Sequence, residues 1–143
     1  MKRILAIFTI TLALFTPGKA QTVHQKDRWG AKLFYFDGNT MRQKDRWGEK
    51  LLFYDAGANT IRMKDRWGEK LLYFDGETVY QVDRWGAKLL YFDGTTIRMK
   101  DRWGEKLYYI DGNTLRLKDR WGDPVFYFDF MPARWQIICA IMI

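Results

Sequence analysis

The tetrapeptide Asp-Arg-Trp-Gly occurs six times, at 27–30, 45–48, 65–68, 83–86, 101–104 and 119–122. The copies are 18 residues apart, with one interval of 20. Self-similarity at a short fixed period marks a repeat architecture, because one such unit cannot bury its apolar face alone. Around each copy the same unit recurs. An example is Thr60-Ile61-Arg62-Met63-Lys64 before the tetrapeptide, then Glu69-Lys70-Leu71-Leu72-Tyr73-Phe74 and Asp75-Gly76 after it. The first copy is complete too, since Thr22-Val23-His24-Gln25-Lys26 matches the leading segment. His24 falls where most copies hold Arg, so it reads as an outward-facing polar side chain and not as a catalytic base.

Each unit carries two strand signals. In the first, Ile61 and Met63 point to one side and Arg62 and Lys64 to the other. The second is a run such as Leu71-Leu72-Tyr73-Phe74, apolar on both faces, so one face needs cover outside the sheet. Asp-Gly between the runs, at 37–38, 75–76, 93–94 and 111–112, predicts a tight hairpin turn with Gly at positive φ. At the other end, Asp of Asp-Arg-Trp-Gly is expected to cap its turn through its side chain. The Gly there is expected to take the left-handed position of a bulged turn. A Gly about every nine residues, together with period-2 alternation, opposes helix. The longer interval comes from two extra residues within Asp55-Ala56-Gly57-Ala58-Asn59-Thr60. An even insertion in a turn leaves every side chain on its own face.

Six units of two strands predict an all-β fold, with twelve antiparallel strands in an up-and-down meander over 22–129. All Asp-Arg-Trp-Gly turns then lie at one end and all Asp-Gly turns at the other. The meander either closes into a barrel or continues as an open β-hairpin solenoid. The tail, 130–143, bears on the choice. Pro132 suits the first turn of a helix, and Ile137 to Ile143 are apolar all round. A helix over 133–143 would be ~16 Å long, close to the ~17–20 Å of a strand of five or six residues. Twelve strands enclose more room than a small barrel whose side chains fill it, so the tail is expected to enter as a plug. An added strand or a sticky terminus is the other reading.

Tandem hairpins of Asp-Arg-Trp-Gly…Tyr-Phe-Asp-Gly-Asn-Thr type, followed by an apolar C-terminal segment, resemble the bacterial β-flower families. Those are radially symmetric β-hairpin barrels, similar in turn to the tubby C-terminal fold, a twelve-stranded barrel around a hydrophobic C-terminal helix. The resemblance covers about 22–143 and implies the fold only. The basic pocket through which some tubby proteins bind phosphoinositides does not map onto residues of this chain.

Ahead of the repeats, Met1-Lys2-Arg3 is basic and Ile4 to Phe15 is an apolar stretch of twelve residues. Gly18 and Ala20 then stand at −3 and −1 of a cleavage site before Gln21, the pattern of a secretory signal peptide. Twelve apolar residues are short of the ~20 that span a bilayer. Residues 1–20 are therefore read as a signal peptide and 21–143 as one exported domain, periplasmic or extracellular. Within 21–143, 21 basic residues face 17 acidic ones, a net of +4. They interleave, as in Lys64-Asp65-Arg66, so nucleic acid is not an expected partner.

The chain has no Ser, one His and one Cys, which leaves no Ser-His-Asp triad, no His/Cys zinc site and no disulfide. Cys139, among Ile137, Ile138, Ala140 and Ile141, predicts a buried and inert thiol. Six near-identical units repeat the same groups instead of converging different ones, so neither an enzyme nor a cofactor is expected. The Asp-Gly-Asn loops are too short to gather the oxygens that calcium needs.

Binding is the sharper expectation. Strands ~4.8 Å apart place equivalent turns ~10 Å apart. Trp29, Trp47, Trp67, Trp85, Trp103 and Trp121 then form a row or ring, beside Arg28, Arg46, Arg66, Arg84, Arg102 and Arg120. Aromatic faces with hydrogen-bonding neighbours suit sugar rings, and Trp with Arg suits an anionic lipid surface. In the competing reading each Trp folds back over its own hairpin, stacks on its Arg and shields the apolar run. Two function classes follow. One is a structural or interaction scaffold of the bacterial cell envelope with no small ligand, whose apolar outer face packs against another protein or itself. The other is a module for envelope glycan or lipid, working through the Trp/Arg end. Exposed indoles favour the module and buried ones the scaffold.

Overall fold

The computed structural model describes residues 19–143. The expected signal peptide lies outside the described residues, apart from Lys19 and Ala20. The described residues form twelve strands and one helix. The strands are β1 (Gln21–Gln25), β2 (Lys32–Asp37), β3 (Thr40–Gln43), β4 (Lys50–Asp55), β5 (Thr60–Met63) and β6 (Lys70–Phe74). They continue as β7 (Thr78–Gln81), β8 (Lys88–Asp93), β9 (Thr96–Met99), β10 (Lys106–Asp111), β11 (Thr114–Leu117) and β12 (Pro124–Phe128), before the helix α1 (Arg134–Met142). Every strand pairs antiparallel with its chain neighbours, and β1 pairs with β12 through Val23↔Phe128, His24↔Tyr127 and Gln25↔Phe126. The meander is a closed barrel, not a solenoid.

Period-2 alternation stacks the barrel interior in layers. Val23, Met41, Ile61, Val79, Ile97 and Leu115, one from each odd-numbered strand, have no exposed surface. Even-numbered strands add Phe36, Phe74, Phe92 and Phe128 toward the Asp-Gly end, and Leu52, Leu72 and Leu90 toward the other end. Six register slips shape this wall. Met41 faces Leu52 and Arg42 faces Lys50, which leaves Leu51 as the extra residue of a β-bulge. Leu33, Leu71, Leu89, Leu107 and Val125 hold the same place. Because two residues oppose one, Leu51 and Leu71 pack on the core beside Leu52 and Leu72. The doublets at Leu51, Leu71, Leu89 and Leu107 therefore need no cover outside the barrel, contrary to the alternation-based expectation.

Gly38, Gly76, Gly94 and Gly112 have positive φ, as the Asp-Gly turns predict. In the lengthened loop Asn59 takes that conformation (φ 54°) instead of Gly57. Asp55↔Thr60 still closes this hairpin just as Asp37↔Thr40 closes the first, so the even insertion leaves the register intact.

The tail is the helix α1, with Trp135 to Ala140 buried. It enters at the Asp-Gly end, where Trp135 stacks on Tyr54 (4.9 Å, 14°) and meets Phe36 edge-on (5.2 Å). Arg134 lies over Phe92 and donates to the Gly76 carbonyl. The cap is Ala133, so Pro132 precedes the helix and is not in its first turn. Gln136 supplies what Ala133 cannot. Its Oε1 accepts from the Ala133 N–H (3.0 Å) and from Gln21 Nε2 (2.9 Å), while its Nε2 donates to the Lys19 carbonyl (3.0 Å). Gln21 Oε1 accepts from the Phe130 N–H (2.8 Å). These buried amides tie β1, the chain after β12 and the plug together.

Candidate functional site

The Asp-Arg-Trp-Gly turns are rigid because their own backbone satisfies them. After β5 ends, Lys64 turns to φ 69° and donates to the bulge carbonyl of Leu51 (2.9 Å). Asp65 N–H then bonds Met63 O, and Gly68 N–H bonds Asp65 O. Asp65 Oδ1 accepts the Trp67 N–H (2.9 Å), the capping role expected of this carboxylate. All six turns repeat that side-chain cap at 2.9–3.0 Å.

The glycine's role differs from the expected one. The left-handed residue is the one before Asp, namely Lys26, Lys44, Lys64, Val82, Lys100 or Lys118. Gly68 is required for close approach, since a Cβ there would lie 1.6 Å from the Met63 carbonyl oxygen.

Outer-face arginines brace the turns. Arg42, Arg62, Arg98 and Arg116 donate to the carbonyls of Gly48, Gly68, Gly104 and Gly122 (3.1–3.2 Å). Each also reaches the Asp that opens its own hairpin turn, at 3.2–3.8 Å. His24 does the same at the seam, 3.2 Å from Gly30 O and 3.0 Å from Asp129 Oδ1. It thus replaces Arg in geometry as well as in sequence.

On this frame the six indoles stand out in solvent. Trp29, Trp47, Trp67, Trp85, Trp103 and Trp121 are each 81–82% exposed. Arg28, Arg46, Arg66, Arg84, Arg102 and Arg120 each stack on their own Trp, with the guanidinium carbon 4.7–5.0 Å from the ring centre. The expected stacking is present and the expected shielding is not. The structure does not gather the six pairs into one pocket. Instead it seats them around one rim over shallow outer-wall clefts. Trp67, Arg66 and Asp65 share a cleft of about 380 Å³ with Thr40, Lys50 and Phe53. Trp103, Arg102 and Asp101 share one of about 290 Å³ with Thr78, Lys88 and Tyr91.

The same end carries residues that repeat reading alone does not single out. Met63, Met99 and Leu117 lie one alternation step beyond the buried Ile61, Ile97 and Leu115, and about half of each is exposed. Val82, Met142 and Ile143 are exposed there too. Among the described residues, the other exposed large apolar side chains are Phe130 and Met131, near the opposite end. The available signal was strand length, because a strand that ends at Met63 leaves that side chain at the mouth.

Charge divides the same way. The turn segments 25–32, 43–50, 63–70, 81–88, 99–106 and 117–124 hold sixteen basic and ten acidic residues. The rest of 19–143 holds six basic and seven acidic. The Asp-Arg-Trp-Gly end is therefore net +6 and the remainder −1.

Among the described residues, no group of three or more His, Cys, Asp or Glu is placed to hold a metal ion. No described helix is long and apolar enough to cross a membrane. The chain matches no known family model, no curated protein and no solved structure.

Proposed function

We propose that the protein is a non-enzymatic, exported module that docks on an anionic lipid surface with its Asp-Arg-Trp-Gly end foremost. The observation that carries this reading is six indoles, 81–82% exposed, at the end that also holds the apolar mouth and the net positive charge. Burying one large apolar side chain is worth about 1.5–3 kcal/mol. Leaving six in water forgoes roughly 9–18 kcal/mol, as much as the whole stability of a typical domain. The fold uses little of that for itself, which favours a ligand role over a scaffold without one.

Indole suits the bilayer interface, where its body is buried and its N–H stays wet. The stacked guanidinium keeps its donors free for phosphate oxygens, and each cation near an anionic surface adds about 1 kcal/mol. Rigid turns lose little conformational freedom on binding.

A second reading, a glycan ligand, is favoured by the outer clefts. Trp67 with Asp65, Arg66 and Lys50 pairs an aromatic face with both donors and acceptors.

Co-sedimentation with phosphatidylglycerol/phosphatidylcholine vesicles tests the proposal, with pure phosphatidylcholine vesicles as the control. Binding is expected to the anionic vesicles only, with a blue shift in Trp emission. It should be released as salt rises from about 0.05 to about 0.5 M, where screening shortens severalfold. Equal binding to both vesicles, or to neither, overturns the lipid reading. Retention on a polysaccharide matrix instead would establish the glycan.

A further inference from the structure

We infer that the mouth of the barrel holds a pocket for one alkyl chain of an anionic amphiphile. Its origin lies in a single register position. Toward the Asp-Arg-Trp-Gly end, even-numbered strands present Phe34, Leu52, Leu72, Leu90, Tyr108 and Phe126 to the interior. Phe34 and Phe126 meet edge-on across the seam at 6.2 Å and fill their side. Beside β4 and β6, where this position is Leu and the helix ends in Met142 and Ile143, that side is left unfilled. The space left is a cavity of about 240 Å³, lined by Leu52, Ile61, Leu71, Leu72, Met142 and Ile143. It opens beside the exposed end of α1.

The lining chooses the occupant. All six side chains are apolar, so a polar ligand would find no partner inside. An engineered cavity of about 150 Å³ with such a lining stays dry and takes benzene. At about 30 Å³ per water-sized group, this cavity takes a chain of roughly eight carbons. The six turns around the mouth are together net +6, and each of the two nearest the cavity, 43–50 and 63–70, is net positive, so the complementary headgroup is anionic. The inference rests on the lipid reading for where the headgroup sits, and adds a specific seat for one chain.

Isothermal titration with saturated fatty acids of increasing length, all below their micelle concentrations, is the test. Affinity is expected to tighten about fourfold per methylene, with a plateau near eight carbons, the length that about 240 Å³ admits. Leu72→Phe places in the third repeat unit the residue that Phe126 already supplies in the sixth. It should weaken binding more than tenfold while vesicle binding and the melting temperature are maintained. Leu52→Phe, the counterpart of Phe34, serves if the first variant does not fold. Affinity without chain-length dependence, or a filled variant that binds like wild type, overturns the pocket. So does a dimer that occupies the mouth and excludes the acids. Vesicle binding without fatty-acid binding overturns the pocket alone. Chain-length-dependent binding without vesicle binding supports the pocket and overturns the docking surface.

Discussion

Gly68 and Gly94 serve opposite needs. Gly94 sits at φ 61° with open space where a Cβ would stand, whereas at Gly68 a Cβ would collide with the Met63 carbonyl. Gly94→Ala is therefore expected to cost about 1–2 kcal/mol, the penalty of the left-handed conformation. Gly68→Ala must force the turn open and is expected to cost about 3 kcal/mol or more. Urea midpoints distinguish them, and equal losses would contradict the close-approach account. The first role was readable from Asp-Gly. The second was not, because the clash is with a backbone oxygen five residues back, a neighbour that only the folded turn creates. Trp67 offers the complementary case. Its exposure predicts that Trp67→Ala changes stability by no more than about 0.5 kcal/mol. Loss of the Arg66 charge by Arg66→Gln should weaken binding to anionic vesicles about fivefold, the equivalent of about 1 kcal/mol. A stability loss of several kcal/mol for Trp67→Ala would return the indole to a structural role.

At the scale of elements, the repeat made strands and hairpins legible, and the bulges were hidden. Leu71-Leu72 reads as a strand with two apolar faces until Ile61 and Arg62 are seen opposite Leu72 and Lys70. Register belongs to a pair of strands, so one strand's pattern cannot reveal it. The helix was legible from its apolar run, but its start was not, since the capping group is the side chain of Gln136. Gln136→Leu leaves Gln21 Nε2 and the Ala133 N–H without that acceptor and should cost about 1–3 kcal/mol in thermal or urea unfolding. Cys139 lies in the same helix, and burial pushes its thiol well above the ordinary value. The folded state keeps the proton while the unfolded thiol loses it above about pH 9. Stability therefore falls above that pH by up to about 1.4 kcal/mol per pH unit from this group. Cys139→Ala should remove that part of the slope, and native Cys139 should resist thiol reagents until the protein unfolds.

At the scale of the molecule, closure draws the whole of 19–143 into a compact body. Solution scattering on the described span should give a radius of gyration of about 14 Å. A value on the order of 20 Å would require hairpins stacked in an open array. The Trp/Arg rim was legible before the structure because an up-and-down meander must put like turns at one end. The apolar mouth was not, because Met142 and Ile143 reach the end that exposes Met63 and Met99 only when the wall has closed and the helix has crossed it. That closure is unequal in time. Eleven of the twelve strand pairings join neighbours in the chain, while β1 and β12 are the first and last strands. Local pairings form quickly and the distant one carries the full loop-closure entropy. A chain emerging from its N-terminus therefore carries β1 as a bare edge, open to pairing with other chains. That exposure lasts until the final strand arrives, and the Gln21–Gln136 bond forms only once the helix has docked as well. A chain stopped just short of β12 keeps that edge uncovered for its whole lifetime.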